Sequence, residues 1–173
     1  MTKKMLVVTL AKTKAVLAAA SRGASGVPSV EELVGEGLVA RMADEEEVLQ
    51  VPAEILEVKE VDRSDDVFRN PRAYVVDSSG TLVVSANVVD KIEKLAAGVE
   101  VTITLKPPAP AADKDVVLLV DAGATSEPLR FVGKTVLDQA PVKIVVSGVP
   151  PGDHLALASA DGYNALLKVL TFV

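Results

Sequence analysis

From residue 99 onward the chain is written in strand periods. Glu100-Val101-Thr102-Ile103-Thr104-Leu105-Lys106 alternates polar and apolar residues without a break, the pattern of a strand with one face buried. Further apolar stretches follow at Val116 to Val120, Leu129 to Val132, Val142 to Val146, His154 to Ser159 and Ala165 to Phe172. Turn signals separate them at roughly the 8–12-residue spacing of a sandwich or barrel. Pro107 to Ala112, Pro-Pro-Ala-Pro-Ala-Ala, is a stiff connector that cannot continue a ladder. No helical pattern intervenes, which argues against a parallel α/β sheet. The expected fold is mainly β with some α: an antiparallel β-sandwich over residues 99–173, preceded by a small α+β segment over 1–98.

The first 98 residues are more mixed. Ser29-Val30-Glu31-Glu32 is a capping box behind Pro28. Val30, Leu33, Val34, Leu38 and Met42 continue it at helical spacing, with Gly35 and Gly37 as weak points where the helix could break. Val48 to Val61 reads as a strand carrying an edge or bulge signal at Pro52. Arg63 to Arg72 reads as a polar connection. Tyr74 to Val76 and Thr81 to Ser85 flank Asp77-Ser78-Ser79-Gly80 as a hairpin. Val88 to Ala97 is a short helical candidate, capped by Asn87 and stopped by Gly98. No internal repeat of 20 to 50 residues is visible.

Composition narrows the function classes. Apolar residues make up 49% of the chain and aromatics only 3%. The apolar share is mostly Val, Ala and Leu, which suits a sheet core. So few rings leave no stacking platform for single-stranded nucleic acid or sugars. The net charge is −6, and the 18 basic residues are scattered among 24 acids. Nucleic-acid binding and an anionic membrane surface are therefore not expected. Cysteine is absent, which excludes disulfides, thiol nucleophiles and thiolate metal sites and fits a reducing compartment.

Lys3 and Lys4 precede an apolar run from Met5 to Ala11, and Ala18 to Ala20 imitates a cleavage site, the order of a signal peptide. Lys12 and Lys14 interrupt that run, which is also far too short to span a bilayer. The segment is expected to be a mature strand or helix, without secretion by a signal peptide and without membrane insertion.

Gly148-Val149-Pro150-Pro151-Gly152-Asp153-His154-Leu155-Ala156-Leu157 runs on into Asp161-Gly162-Tyr163. Pro-Pro-Gly closes one tight turn and Asp-Gly the next. This stretch resembles the hairpin of small immunoglobulin-like or prealbumin-like β-sandwich modules, with His154 where a Tyr is usual. Residues 99–173 also resemble the immunoglobulin-like tail domains of phage-tail-like contractile injection particles. The shared elements are Val116-Val117-Leu118-Leu119-Val120 and Asp161-Gly162-Tyr163-Asn164-Ala165-Leu166-Leu167. The resemblance covers about 75 residues and none of residues 1–98, and it implies a fold more than a function.

Candidate chemistry is sparse. His154 is the single histidine. It could act as a base or ligand, but its place just after a Pro-Pro-Gly turn reads as a strand residue. No nucleophile elbow or phosphate loop is present; Gly23-Ala24-Ser25-Gly26 lacks the Gly-Lys-Ser/Thr ending. Asp44 to Glu47, and Asp62 with Asp65 and Asp66, could offer calcium oxygen ligands, but they read first as solvated acidic stretches. No residue is nominated as catalytic, cofactor-binding or metal-binding, no cofactor is expected, and the chain is not read as an enzyme.

Assembly is the better expectation. The mean hydropathy of +0.35 is high for a soluble monomer, and antiparallel sandwiches leave edge strands that can take a partner. The reading is a structural subunit of a large particle (a phage tail, a phage-tail-like injection device or a virion shell). It would be cytoplasmic at synthesis, with copies of itself and other particle proteins as partners. A monomeric adhesion or carbohydrate-binding β-sandwich module is the alternative. Residues 1–26 are basic (Lys3, Lys4, Lys12, Lys14, Arg22, with Arg41 nearby) and residues 31–66 acidic, a charge split suited to head-to-tail contacts. The basic arm is accordingly expected to exchange between copies, with docking on the sheet near Val48 as its intramolecular alternative.

Overall fold

Val116, Val117, Leu118, Leu119 and Val120 are all buried. Successive side chains of a strand point to opposite faces, so this strand has protein on both sides. The computed structural model describes residues 3–23, 26–42, 48–94, 98–123 and 127–173. In chain order its elements are β1 Lys4–Leu10, β2 Val16–Ser21, α1 Val30–Val34, β3 Gly37–Arg41, β4 Val48–Pro52 and β5 Leu56–Asp62. Then come α2 Asp65–Arg69, β6 Tyr74–Val76, β7 Leu82–Val84 and β8 Val88–Lys94. The remaining strands are β9 Glu100–Lys106, β10 Asp115–Val120, β11 Leu129–Lys134, β12 Pro141–Val145, β13 Gly152–Ala160 and β14 Ala165–Phe172. The protein is mainly β with some α.

Three sheets form layers around β10. The central sheet has the order β11-β10-β13-β14, all antiparallel. On one face, Val116, Leu118 and Val120 of β10 and Ala156, Ala158 and Ala160 of β13 meet Val101, Ile103, Leu105, Val142 and Ile144 of the sheet β12-β9-β8. That is the expected sandwich. On the other face, Val117, Leu119, Leu155, Leu157 and Leu167 meet Val8, Leu10, Leu17, Leu49, Val51 and Leu56. Those belong to the sheet β2-β1-β5 and the hairpin β3-β4. The outer face of β2-β1-β5 buries Met5, Val7, Val16 and Val61 under Val67 of α2 and Val76 of β6. Each buried Val or Leu contributes roughly 1.5–3 kcal/mol. The two faces of β10 thus tie residues from both halves of the chain into one stack. The hydroxyl of Ser159 adds a buried hydrogen bond of 2.7 Å to Thr13 Oγ1, joining the β1–β2 turn to the central sheet.

Several expectations are corrected. The basic arm is part of the core and takes the intramolecular docking named as the alternative: β1 lies between β2 and β5, and Met5, Leu6, Val7, Val8 and Leu10 are buried. Part of the charge split is paired inside the chain, through Lys4 to Asp62 at 2.8 Å, Lys14 to Glu57 at 3.1 Å and Arg22 to Glu60 at 2.7 Å. These pairs are partly exposed and each contributes at most about 1 kcal/mol; together they favour one register. The stretch 88–97 holds a strand, not a helix. A bulge between Val89 and Lys91 breaks the β8–β9 register, so the buried Val89 and Ile92 fall three apart and imitate a helical spacing. Residues 95–97 lie outside the described residues. Because β8 pairs with β9, the sandwich takes in residues from 88.

The capping box at Ser29 forms as expected: the Ser29 hydroxyl accepts from the Glu32 amide and the Glu32 carboxylate from the Ser29 amide. The helix ends at Val34, however, where Gly35 turns to φ 67°. Leu38 lies on β3, and Met42 follows that strand. Val48 to Val61 is two strands separated by a 3-10 turn at Ala53–Ile55, after Pro52 ends β4. The Arg63–Arg72 connection carries the short helix α2.

Candidate functional site

His154 sits at the start of β13, 8% exposed. Its Nε2 is 2.9 Å from the Pro150 carbonyl, and its ring meets Phe172 edge-on at 5.8 Å. The imidazole closes the Pro-Pro-Gly turn onto β14. Asp62 pairs with Lys4, and Asp65 with Arg63 at 2.8 Å. Among the described residues no group of metal-ligating side chains converges; Asp44 to Glu47 lie outside them. Tyr163, after the Asp161-Gly162 turn, is buried and donates its hydroxyl to the Pro107 carbonyl at 2.9 Å. Burial pushes its phenol pKa up. These polar groups hold turns in place.

The sandwich has two open sides, and the chain treats them differently. On the β8/β14 side, Asn164 Oδ1 accepts from the Val89 amide at 2.9 Å, and the Asn164 amide donates to the Asn87 carbonyl at 3.1 Å. Lys168 Nζ donates to the Ile92 carbonyl at 3.0 Å. These bonds stitch the two sheets together. On the β11/β12 side, no hydrogen bond joins the two strands among the described residues. Each is the end strand of its sheet, so each has one row of backbone groups unpaired. The strands approach by packing alone: a Cβ on Gly133 would lie 2.9 Å from Ile144 Cγ1. Val132 on β11 and Val145 on β12 are 45% and 67% exposed.

The exposed face of β11 is also charged. Arg130, Val132 and Lys134 alternate outward, while Leu129, Phe131 and Gly133 are half-buried. Lys134 pairs with Asp115 at 2.7 Å and Lys12 reaches the same carboxylate at 3.8 Å. The hydrogen bond from Lys134, then the charges of Lys12, Lys134 and Arg130, hold the Asp115 carboxyl below its ordinary value despite some desolvation. Arg130 has no ion pair among the described residues. Beside it lies a cavity of about 120 Å³, walled by Leu10, Ile55 and Val117 and rimmed by Lys12, Arg130 and Glu54. A wider groove of about 420 Å³ lies between Asn70, Arg72 and the start of β14.

Sequence reasoning identified β11 and β12 as strands but not as the unsealed side, nor Arg130 and Lys134 as a pair. The alternation Arg130-Phe131-Val132-Gly133-Lys134 carries the signal: two cations around a valine on one face of a strand. Comparison with protein-family models, with curated proteins and with solved structures finds no match to this chain. The immunoglobulin-like and injection-particle resemblance therefore rests on the motifs of residues 116–167.

Proposed function

We propose that the protein is a non-enzymatic structural subunit that assembles into a larger particle, of the phage-tail-like or virion kind its C-terminal motifs resemble. The β11/β12 side carries this reading. It offers two end strands with unpaired backbone edges and exposed valines, whereas on the opposite side Asn164 and Lys168 bind the Val89 amide and the Ile92 carbonyl of β8. Such an edge is a ready template for another chain. The carbohydrate-binding alternative has less support. Tyr163 and Phe172 are buried, Tyr74 and Phe131 half-buried, and the exposed ring of Phe68 lies under Arg63 at 5.8 Å.

Light scattering after size exclusion tests this reading, with the full chain alone and mixed with the proteins encoded beside it. The expected outcome is a rise in mass with concentration or on mixing. A monomer at every concentration and in every mixture would count against assembly.

A further inference from the structure

We propose that β11 accepts an extended segment of a partner protein that carries acidic residues on either side of an aliphatic one, at alternate positions. This inference rests on the assembly reading and names the chemistry of the partner. β11 ends the central sheet, and its six residues offer one unpaired backbone edge. A strand added there gains main-chain hydrogen bonds from the edge and specificity from alternate side chains.

The side chains it meets are fixed by the strand period: Arg130, Val132 and Lys134 share the exposed face. Lys12 enlarges the positive patch, and Asp115 is the carboxylate that Lys12 and Lys134 share. Opposite charges across a strand pair stabilise it and like charges destabilise it. An incoming acidic-aliphatic-acidic face therefore matches all three positions.

A second copy of β11 does not. Antiparallel pairing centred on Val132 sets Arg130 against Lys134 of the other copy. Parallel pairing sets Arg130 near Arg130 and Lys134 near Lys134. Both arrangements bring cation to cation, so the occupant is a different, acidic chain. On β12, Pro141 lacks an amide hydrogen and the exposed positions hold one cation, Lys143, where β11 has two, which leaves β11 as the better edge.

Two synthetic peptides, acetyl-TETVTET-amide and acetyl-TKTVTKT-amide, test this by titration into the isotopically labelled full chain. The readouts are amide shifts and hydrogen-exchange protection. The acidic peptide is expected to perturb and protect residues 129–134 and to bind at least about tenfold more tightly than the basic one. Arg130→Glu combined with Lys134→Glu is expected to invert that preference. Arg130→Glu alone, which keeps the Lys134–Asp115 pair, should reduce it. Equal binding of the two peptides, perturbation centred on another edge, or no binding at millimolar peptide would overturn the proposal. So would self-association of the unmodified chain that the double variant abolishes, because the occupant would then be a second copy. Assembly persisting in the light-scattering experiment while the acidic peptide fails would remove β11 as the acceptor and leave the assembly reading standing.

Discussion

Where β8 meets β14, Asn164 and Lys168 reach across and occupy two backbone groups of β8, the Val89 amide and the Ile92 carbonyl. Where β11 meets β12, Gly133 lies under Ile144, yet among the described residues no hydrogen bond crosses and the outer valines stay in water. Both sides are well packed; they differ in whether polar groups are consumed. A sealed side protects against unwanted strand addition. An unsealed side is tolerable when charge restricts what can add, and the cations on β11 do that.

The largest expected effect breaks the packing on the unsealed side. Gly133→Val places branched carbon where even a Cβ is too close to Ile144. It should destabilise by about 3 kcal/mol through overpacking, read as a lower urea midpoint. Next, Asn164→Ala breaks the sealed side. It strands the Val89 amide and should cost about 1–3 kcal/mol, with faster hydrogen exchange in β8 than in β12. Tyr163→Phe removes one hydrogen bond to Pro107 and should cost about 1 kcal/mol, lowering the melting temperature by a few degrees.

Smallest of all, Arg130→Glu should change stability by no more than about 0.5 kcal/mol, because its side chain is exposed and has no ion pair among the described residues. The unsealed side is thereby separable: its packing matters to the fold, its charges to a partner. Acid titration sharpens the same point. The folded pKa of Asp115 is depressed, so its contribution is present above the unfolded value and fades as pH falls below about 4. Asp115→Asn should flatten that part of the stability–pH curve, measured by urea melts from pH 2 to 7.

Much of the sandwich was legible because its periods are local. β9 alternates at every residue, β14 runs from Ala165 to Phe172 as read, and the apolar run of β10 marks burial on both faces. The failures have physical causes. The bulge in β8 shifted its buried residues into a helical spacing. Leu38 belongs to a strand separated by only two residues from the end of a glycine-capped helix. The role of β1 depends on Lys4 to Leu10 pairing with residues 56–62, a long-range choice that no local window contains. The candidate edge was hidden for the same reason: strand order, not strand content, makes β11 an end strand.

The double burial of β10 also has a consequence for biosynthesis. As the chain leaves the ribosome, β1 to β5 are complete long before β10, β13 and β14, yet Val8, Leu10, Leu49 and Val51 have their main apolar counterpart in those late strands. The first half therefore spends much of translation with a bare apolar face. Contacts of such long sequence separation slow folding, and exposed apolar surface in that interval invites aggregation. A chaperone that holds the nascent first half until residue 167 has emerged would shield that face in the interval.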